Sequence, residues 1–225
     1  MDAPVHASAP ARAASLEARR AMHNNNKLKL GLFGANCSSG RAVTLVPERW
    51  TGTWPDNKKL AQRADEVGID FMLPIGRWKG YGGDTDYQGE TLETITWATG
   101  LLAVTKRITV FGTVHAPIFN PIVAAKEMVT ADHVGEGRFG LNIVVGWNED
   151  EFEMFGVKQR EHEARYDYAQ EWIDVIKLIW SAVTICLAAM IGWNSGTWTV
   201  PNTVIRLVAA SRPVAQVRVS SVAPW

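Results

Sequence analysis

The sequence has no excess charge of either sign. Its 23 Lys and Arg residues balance 23 Asp and Glu, for a formal net charge of zero. A nucleic-acid footprint or an anionic membrane surface calls for a positive excess, so neither partner is expected. Cysteine is scarce: Cys37 and Cys186 stand far apart, which excludes a disulfide framework and any cysteine-based metal spacing. That usage fits a reducing compartment and predicts a cytoplasmic protein. No apolar run reaches the ~18 residues of a membrane-spanning helix. No His, Asp and Glu cluster has ligand spacing, so no metal is expected. The glycine-rich "GYGG" is not G-x-G-x-x-G and lies well before its helix, which argues against a dinucleotide site.

Two further absences mark the ends of the chain. The first 26 residues, Ala- and Arg-rich with two prolines, lack apolar periodicity. They read as a disordered tail, or as translation from too early a start with Met22 as the natural beginning; a weak transit peptide is the other reading. Residues 183–225 contain no Asp, Glu, Lys, His, Phe or Tyr, and their only charges are Arg206, Arg212 and Arg218. A segment of ordinary composition would hold about nine charges of mixed sign. This tail is expected to be out-of-frame sequence after about Ala182, with an unusual apolar extension as the alternative.

Between them, residues 27–182 are strongly patterned. Four apolar, β-branched runs ("KLGLFGA", "IDFMLPIG", "RITVFGTVHA", "RFGLNIVVG") alternate with four helical patterns. In the first helix Pro55 suits the first turn, Leu60, Ala64 and Val67 form one face, and Gly68 is the stop. The last carries Tyr168, Trp172, Val175, Ile176 and Ile179 on one stripe. Strands that are apolar throughout are covered on both faces, which implies a parallel α/β architecture. Either a doubly wound open sheet or a (β/α)8 TIM barrel would satisfy that pattern.

In both architectures ligands bind beyond the C-terminal ends of the strands. The segments placed there are "GANCSSG", "PIGRWKGYGGDTDYQG", "TVHAPIFNP" and "VVGWNEDEF", rich in Gly, Trp, Asn, His and charge. The loops at the opposite end are short and plain, and this asymmetry marks a functional face. Several residues there have two readings. Cys37 has no base beside it and reads as a small buried cysteine rather than a nucleophile. His115 is either a ligand contact or a satisfied, half-buried histidine. Glu149, Asp150, Glu151 and Glu153 are either paired catalytic carboxylates or the acidic first turn of a helix. Arg165 and Tyr166 could grip a phosphate at a helix start or merely be solvated. Ten tryptophans suit a core or the walls around a flat ligand.

The ordered series "GRFGLNIVVGW", the Glu151 beyond it and the helix start "RYDY" resembles the luciferase-like, flavin-dependent monooxygenases. Within that family the chain is most similar to the branch of pyrimidine-ring, alkanesulfonate and dimethyl sulfone monooxygenases. The resemblance covers about 27–182. It implies a TIM barrel that receives reduced FMN from a separate NAD(P)H:flavin reductase. There O2 forms a flavin-peroxide that inserts one oxygen atom into a small organic substrate, with homo-oligomers expected at full length. Carried over by position, the flavin contacts are Gly76 and Arg77, Asn142, Glu151, and Arg165 with Tyr166. Gly76-Arg77 departs from the family's aliphatic-Lys pair, and the later "AG-x-S" phosphate loop has no counterpart. Only about four of the eight βα units are recognisable, so the chain is expected to be an inactive or unstable fragment. An F420-dependent hydride-transfer enzyme of the same superfamily, and a non-enzymatic flavin-binding or dimerising partial barrel, are the alternatives.

Overall fold

The computed structural model describes Met22 and residues 27–190, the last ten as backbone alone. Four strands, β1 (Gly31–Phe33), β2 (Phe71–Leu73), β3 (Thr109–His115) and β4 (Phe139–Val144), form one parallel sheet in the order β1-β2-β3-β4. Helices α1 (Trp54–Val67), α2 (Thr94–Ala103) and α3 (Pro121–Val134) connect successive strands. A short α4 (Glu149–Met154) and the long α5 (His162–Met190) follow β4. Sequential strands pairing side by side with helical crossovers is the arrangement that eight repeats close into a barrel. Register runs Gly31 to Phe71, Phe71 to Thr109 and Val110 to Phe139, so the strand ends rise together at one face.

Helix boundaries follow local chemistry. Thr53 caps α1, accepting from the Asp56 amide, with Pro55 in the first turn. Gly68 ends it in the left-handed region at φ 82°, a conformation glycine adopts without a Cβ penalty. Asn120 caps α3 by accepting from the Ile122 amide. The Glu93 side chain takes the Ile95 and Thr96 amides at the start of α2.

The inward face of α1 differs from the expected one. Of the expected face, Ala64 is buried and Leu60 packs on the core, but Val67 is exposed in the last turn and the other buried residues are Asn57 and Ala61. The polar Asn57 belongs inside because every arm of its amide is used. Its Nδ2 donates to the carbonyls of Gly52 and Thr53, and its Oδ1 accepts from the buried Trp97 Nε1 at 2.8 Å.

Two clusters form the core on the helix side of the sheet. One gathers Ala61, Met72, Trp97, Leu101, Ile108 and Val110 under α1 and α2. The other gathers Val114, Met128, Leu141, Ile143, Trp172 and Ile176 under α3 and α5. The tryptophans act partly as pins: Trp172 Nε1 donates to Phe119 O at 2.8 Å and Trp180 Nε1 to Ala125 O at 3.2 Å. The other sheet face is only partly covered among the described residues, and Phe33 on it is 51% exposed. Covering of both strand faces therefore holds for β3, whose Thr109, Thr113 and His115 are buried on that side, and fails at β1.

Candidate active site

Parallel strands bring unrelated segments together where they end. Leu141 and Ile143 point into the helix-side core, so Asn142 between them faces the opposite, inner wall. There its Nδ2 donates to Thr113 Oγ1 at 3.2 Å. Thr113 in turn donates to Pro74 O at 3.0 Å, and its own carbonyl accepts from Thr94 Oγ1 at 2.6 Å. The ends of β2, β3, β4 and the start of α2 are thus tied through one threonine.

Gly76 follows β2 and lies against His115 and Thr113. A Cβ at position 76 would stand 2.7 Å from His115 Cε1 and 2.9 Å from Thr113 Cγ2, so glycine is required for this approach. Arg77 and Glu151 form a buried ion pair at 3.2 Å, with side chains 7% and 3% exposed. Glu151 Oε1 also accepts from the backbone amides of Trp78 at 2.8 Å and Lys79 at 3.4 Å. The remaining Arg77 nitrogens donate to Gln88 Oε1 and Tyr81 Oη, and the guanidinium lies over the Tyr81 and Trp147 rings. A buried charge must be paired and hydrogen-bonded to be tolerated, and this pair satisfies both conditions.

The acidic run after β4 therefore divides by role. Glu151 turns inward and is 2% exposed, whereas Asp150 meets Lys79 at 2.6 Å in an exposed pair. Glu149, Asp150 and Glu151 also occupy the first turn of α4, where the helix dipole favours acids. Trp147 stands 63% exposed over Arg77 at the rim. Arg165 is drawn back from α5 to donate to Gly146 O at 2.6 Å, and its Nε is buried without a partner. Tyr166, half-buried, packs on the His162 ring at 5.1 Å. Of the six residues carried over from the resemblance, Gly76, Arg77, Asn142 and Glu151 converge and Arg165 joins through Gly146, whereas Tyr166 makes its ring contact with His162 on its own helix.

His115 is buried and uncharged at neutral pH: burial, followed by the nearby Arg77, lowers its pKa from 6.5 to about 4 against the opposing pull of Glu151. Its 4.0 Å approach to Glu151 is accordingly not an ion pair under those conditions. Cys37 is buried, with its thiol pushed up by desolvation, as a packing cysteine would be. Among the described residues no group of three His, Cys, Asp or Glu could hold a metal.

A cleft of about 100 Å³ opens beside this cluster, lined by Gly76, Arg77, Gln88, Thr94 and Thr113 among others. Thr94, Thr113 and Gln88 had no distinguishing sequence signal. Gln88 sits at φ 58°, uncommon for a residue with a side chain, and its buried amide links Arg77 to Gly40 O. Only the richness of the segment "YGGDTDYQG" hinted at such a residue.

The sequence matches the family described as luciferase-like monooxygenase over residues 29–217. Among curated relatives, the pyrimidine monooxygenase RutA of Allorhizobium ampelinum is 36% identical over 155 residues, covering 68% of this chain and 42% of that protein. The enzyme of the same name from Acinetobacter baylyi is 31% identical over 156 residues, with the same two coverages. The chain spans about two-fifths of the length of these relatives. Riboflavin lyase (RcaE), solved with modified FMN and riboflavin, superposes with a TM-score of 0.61 at 25% identity, over 69% of this chain and 38% of that one. The oxygenating constituent of 3,6-diketocamphane monooxygenase from Pseudomonas putida, in complex with FMN, shares the fold with a TM-score of 0.54 at 20% identity, over 68% and 39%. The parallel (β/α) architecture and this match agree: the chain belongs to the luciferase-like monooxygenase family.

Proposed function

We propose that this chain supplies one wall of the reduced-FMN site of a two-component monooxygenase acting on a small organic substrate. The supporting observation is the buried Arg77–Glu151 pair set beside Gly76, His115 and Asn142 at the strand ends. The donor set fits a flavin. Gly76 lets His115 and Thr113 pack against the segment after β2, and among the described residues Arg165 Nε and His115 Nδ1 are buried polar atoms without partners. Asn142 offers an amide on the inner wall.

Reduced FMN, when bound, supplies the electrons that activate O2, one atom of which enters the substrate. The chain's own residues orient and shield. Arg77 and Glu151 fix the segment after β2 against α4, so Gly76 is held in place. Trp78, packed edge-on to Phe155 at 4.9 Å and tilted on Phe119 at 5.9 Å, closes the apolar side of that junction against water. Pyrimidines are the substrate class to assay first, because the relatives above are named for them. A separate flavin reductase is the expected electron source.

Titration of the purified chain with FMN, followed by quenching of flavin fluorescence, tests the reading. Saturable binding in the micromolar range is expected. Absence of saturable binding overturns it.

A further inference from the structure

His115 ends β3 and is 5% exposed, yet among the described residues no group hydrogen-bonds its Nδ1. Buried polar atoms nearly always have a partner, so this nitrogen calls for one from outside the chain. Its other ring nitrogen, Nε2, faces Glu151 Oε2 at 4.0 Å. That is too long for a hydrogen bond, but a carboxylate at this range favours a proton on Nε2 over a lone pair. Glu151 cannot easily turn away, since its Oε1 is held by Arg77 Nη1 and by the amides of Trp78 and Lys79. With the proton on Nε2, the Nδ1 atom carries a lone pair. The ring edge bearing Nδ1 and Cε1 lies against Gly76, where a Cβ would stand 3.4 Å from Nδ1. Gly76 and Thr113 both line the adjoining cleft.

We propose that His115 is a ligand-contacting residue of this site, its Nδ1 accepting a hydrogen bond from an N–H or O–H group of the bound flavin while Glu151 orients the ring. This rests on the flavin reading above. An isoalloxazine N–H and a ribityl hydroxyl are both donors of the required kind. Gly76, which has no side chain, packs on the edge bearing Nδ1 and borders the cleft.

Two substitutions separate the ring nitrogens. The amide of His115→Asn reaches the Nδ1 position, whereas that of His115→Gln reaches the Nε2 position and leaves the first empty. In FMN titrations His115→Asn is expected to bind within about threefold of wild type, and His115→Gln about tenfold more weakly, the loss of one hydrogen bond. Long-range 1H–15N correlation spectra of the wild-type chain give a readout that needs no variant. Without flavin, His115 should show Nε2–H and a bare Nδ1, and FMN should shift the Nδ1 resonance toward that of a hydrogen-bond acceptor. Wild-type protein that binds FMN with an unmoved Nδ1 resonance, or a His115→Gln variant binding as well as His115→Asn, overturns the His115 contact alone. Wild-type protein that binds no FMN overturns the flavin reading and the contact with it.

Discussion

Glu151 is the residue on which the site geometry turns. One of its oxygens holds three donors from the segment after β2, and the other faces His115. Replacing it with alanine leaves the buried Arg77 charge without its carboxylate. The expected loss is about 3 kcal/mol, at the low end for a broken buried pair because Gln88 and Tyr81 still accept from Arg77. Urea unfolding of Glu151→Ala against wild type measures it. Asp150→Asn provides the contrast: its pair with Lys79 is more than half exposed, and the same experiment should show a far smaller change. His115 adds a pH dependence with a definite sign. Its folded-state pKa of about 4 lies below the ordinary 6.5, so between those values the unfolded chain takes a proton that the folded chain refuses. Its contribution is intact above about pH 6.5 and is lost as pH falls to about 4. Unfolding midpoints across that window should decline more steeply for wild type than for His115→Asn; equal slopes would remove the assignment.

The elements depend on side chains that close backbone accounts at their ends. Asp65, near the end of α1, accepts from the amides of Lys106, Arg107 and Ile108 at 2.8, 2.8 and 2.7 Å. It thereby fixes the entry to β3, and the buried Arg138 secures the same turn through Thr105 and the carbonyls of Leu102, Thr105 and Ile108. Asp65→Ala should cost on the order of 3 kcal/mol and accelerate amide exchange at Ile108, while β4 amides keep their relative protection. Helix limits of this kind were legible from the sequence, since Pro55 and Gly68 act through their own backbone preferences. The buried stripe of α1 was legible only in part, at Leu60 and Ala64. A polar Asn57 enters the core only because Trp97, 40 residues away, supplies the donor that satisfies it.

At the scale of the molecule, β1 and β4 each have one paired edge among the described residues, and Leu30 and Phe33 are exposed beside β1. Open parallel edges with apolar neighbours promote association. Sedimentation should show mass rising with protein concentration, and Phe33→Lys should weaken that rise; a concentration-independent monomer would contradict it. No described helix is long and apolar enough to cross a membrane. The expectations for the first 26 residues, Met22 apart, and for residues 183–225 past the end of α5 at Met190 lie outside the described residues.

The sequence by itself determined the alternation of strand and helix, the parallel sheet and the family, because each depends on local periodicity or on a contiguous motif. It named Gly76, Arg77, Asn142 and Glu151 through resemblance, yet left Glu151 indistinguishable from its acidic neighbours. Only the tertiary structure decided between them. Burial, and the meeting of Arg77 with a carboxylate 74 positions away, turned one glutamate inward and left Asp150 in solvent. The same holds for His115, whose two readings differ by which atoms surround the ring. That is set by the packing of Gly76 and Glu151 around the end of β3, and no local pattern encodes it.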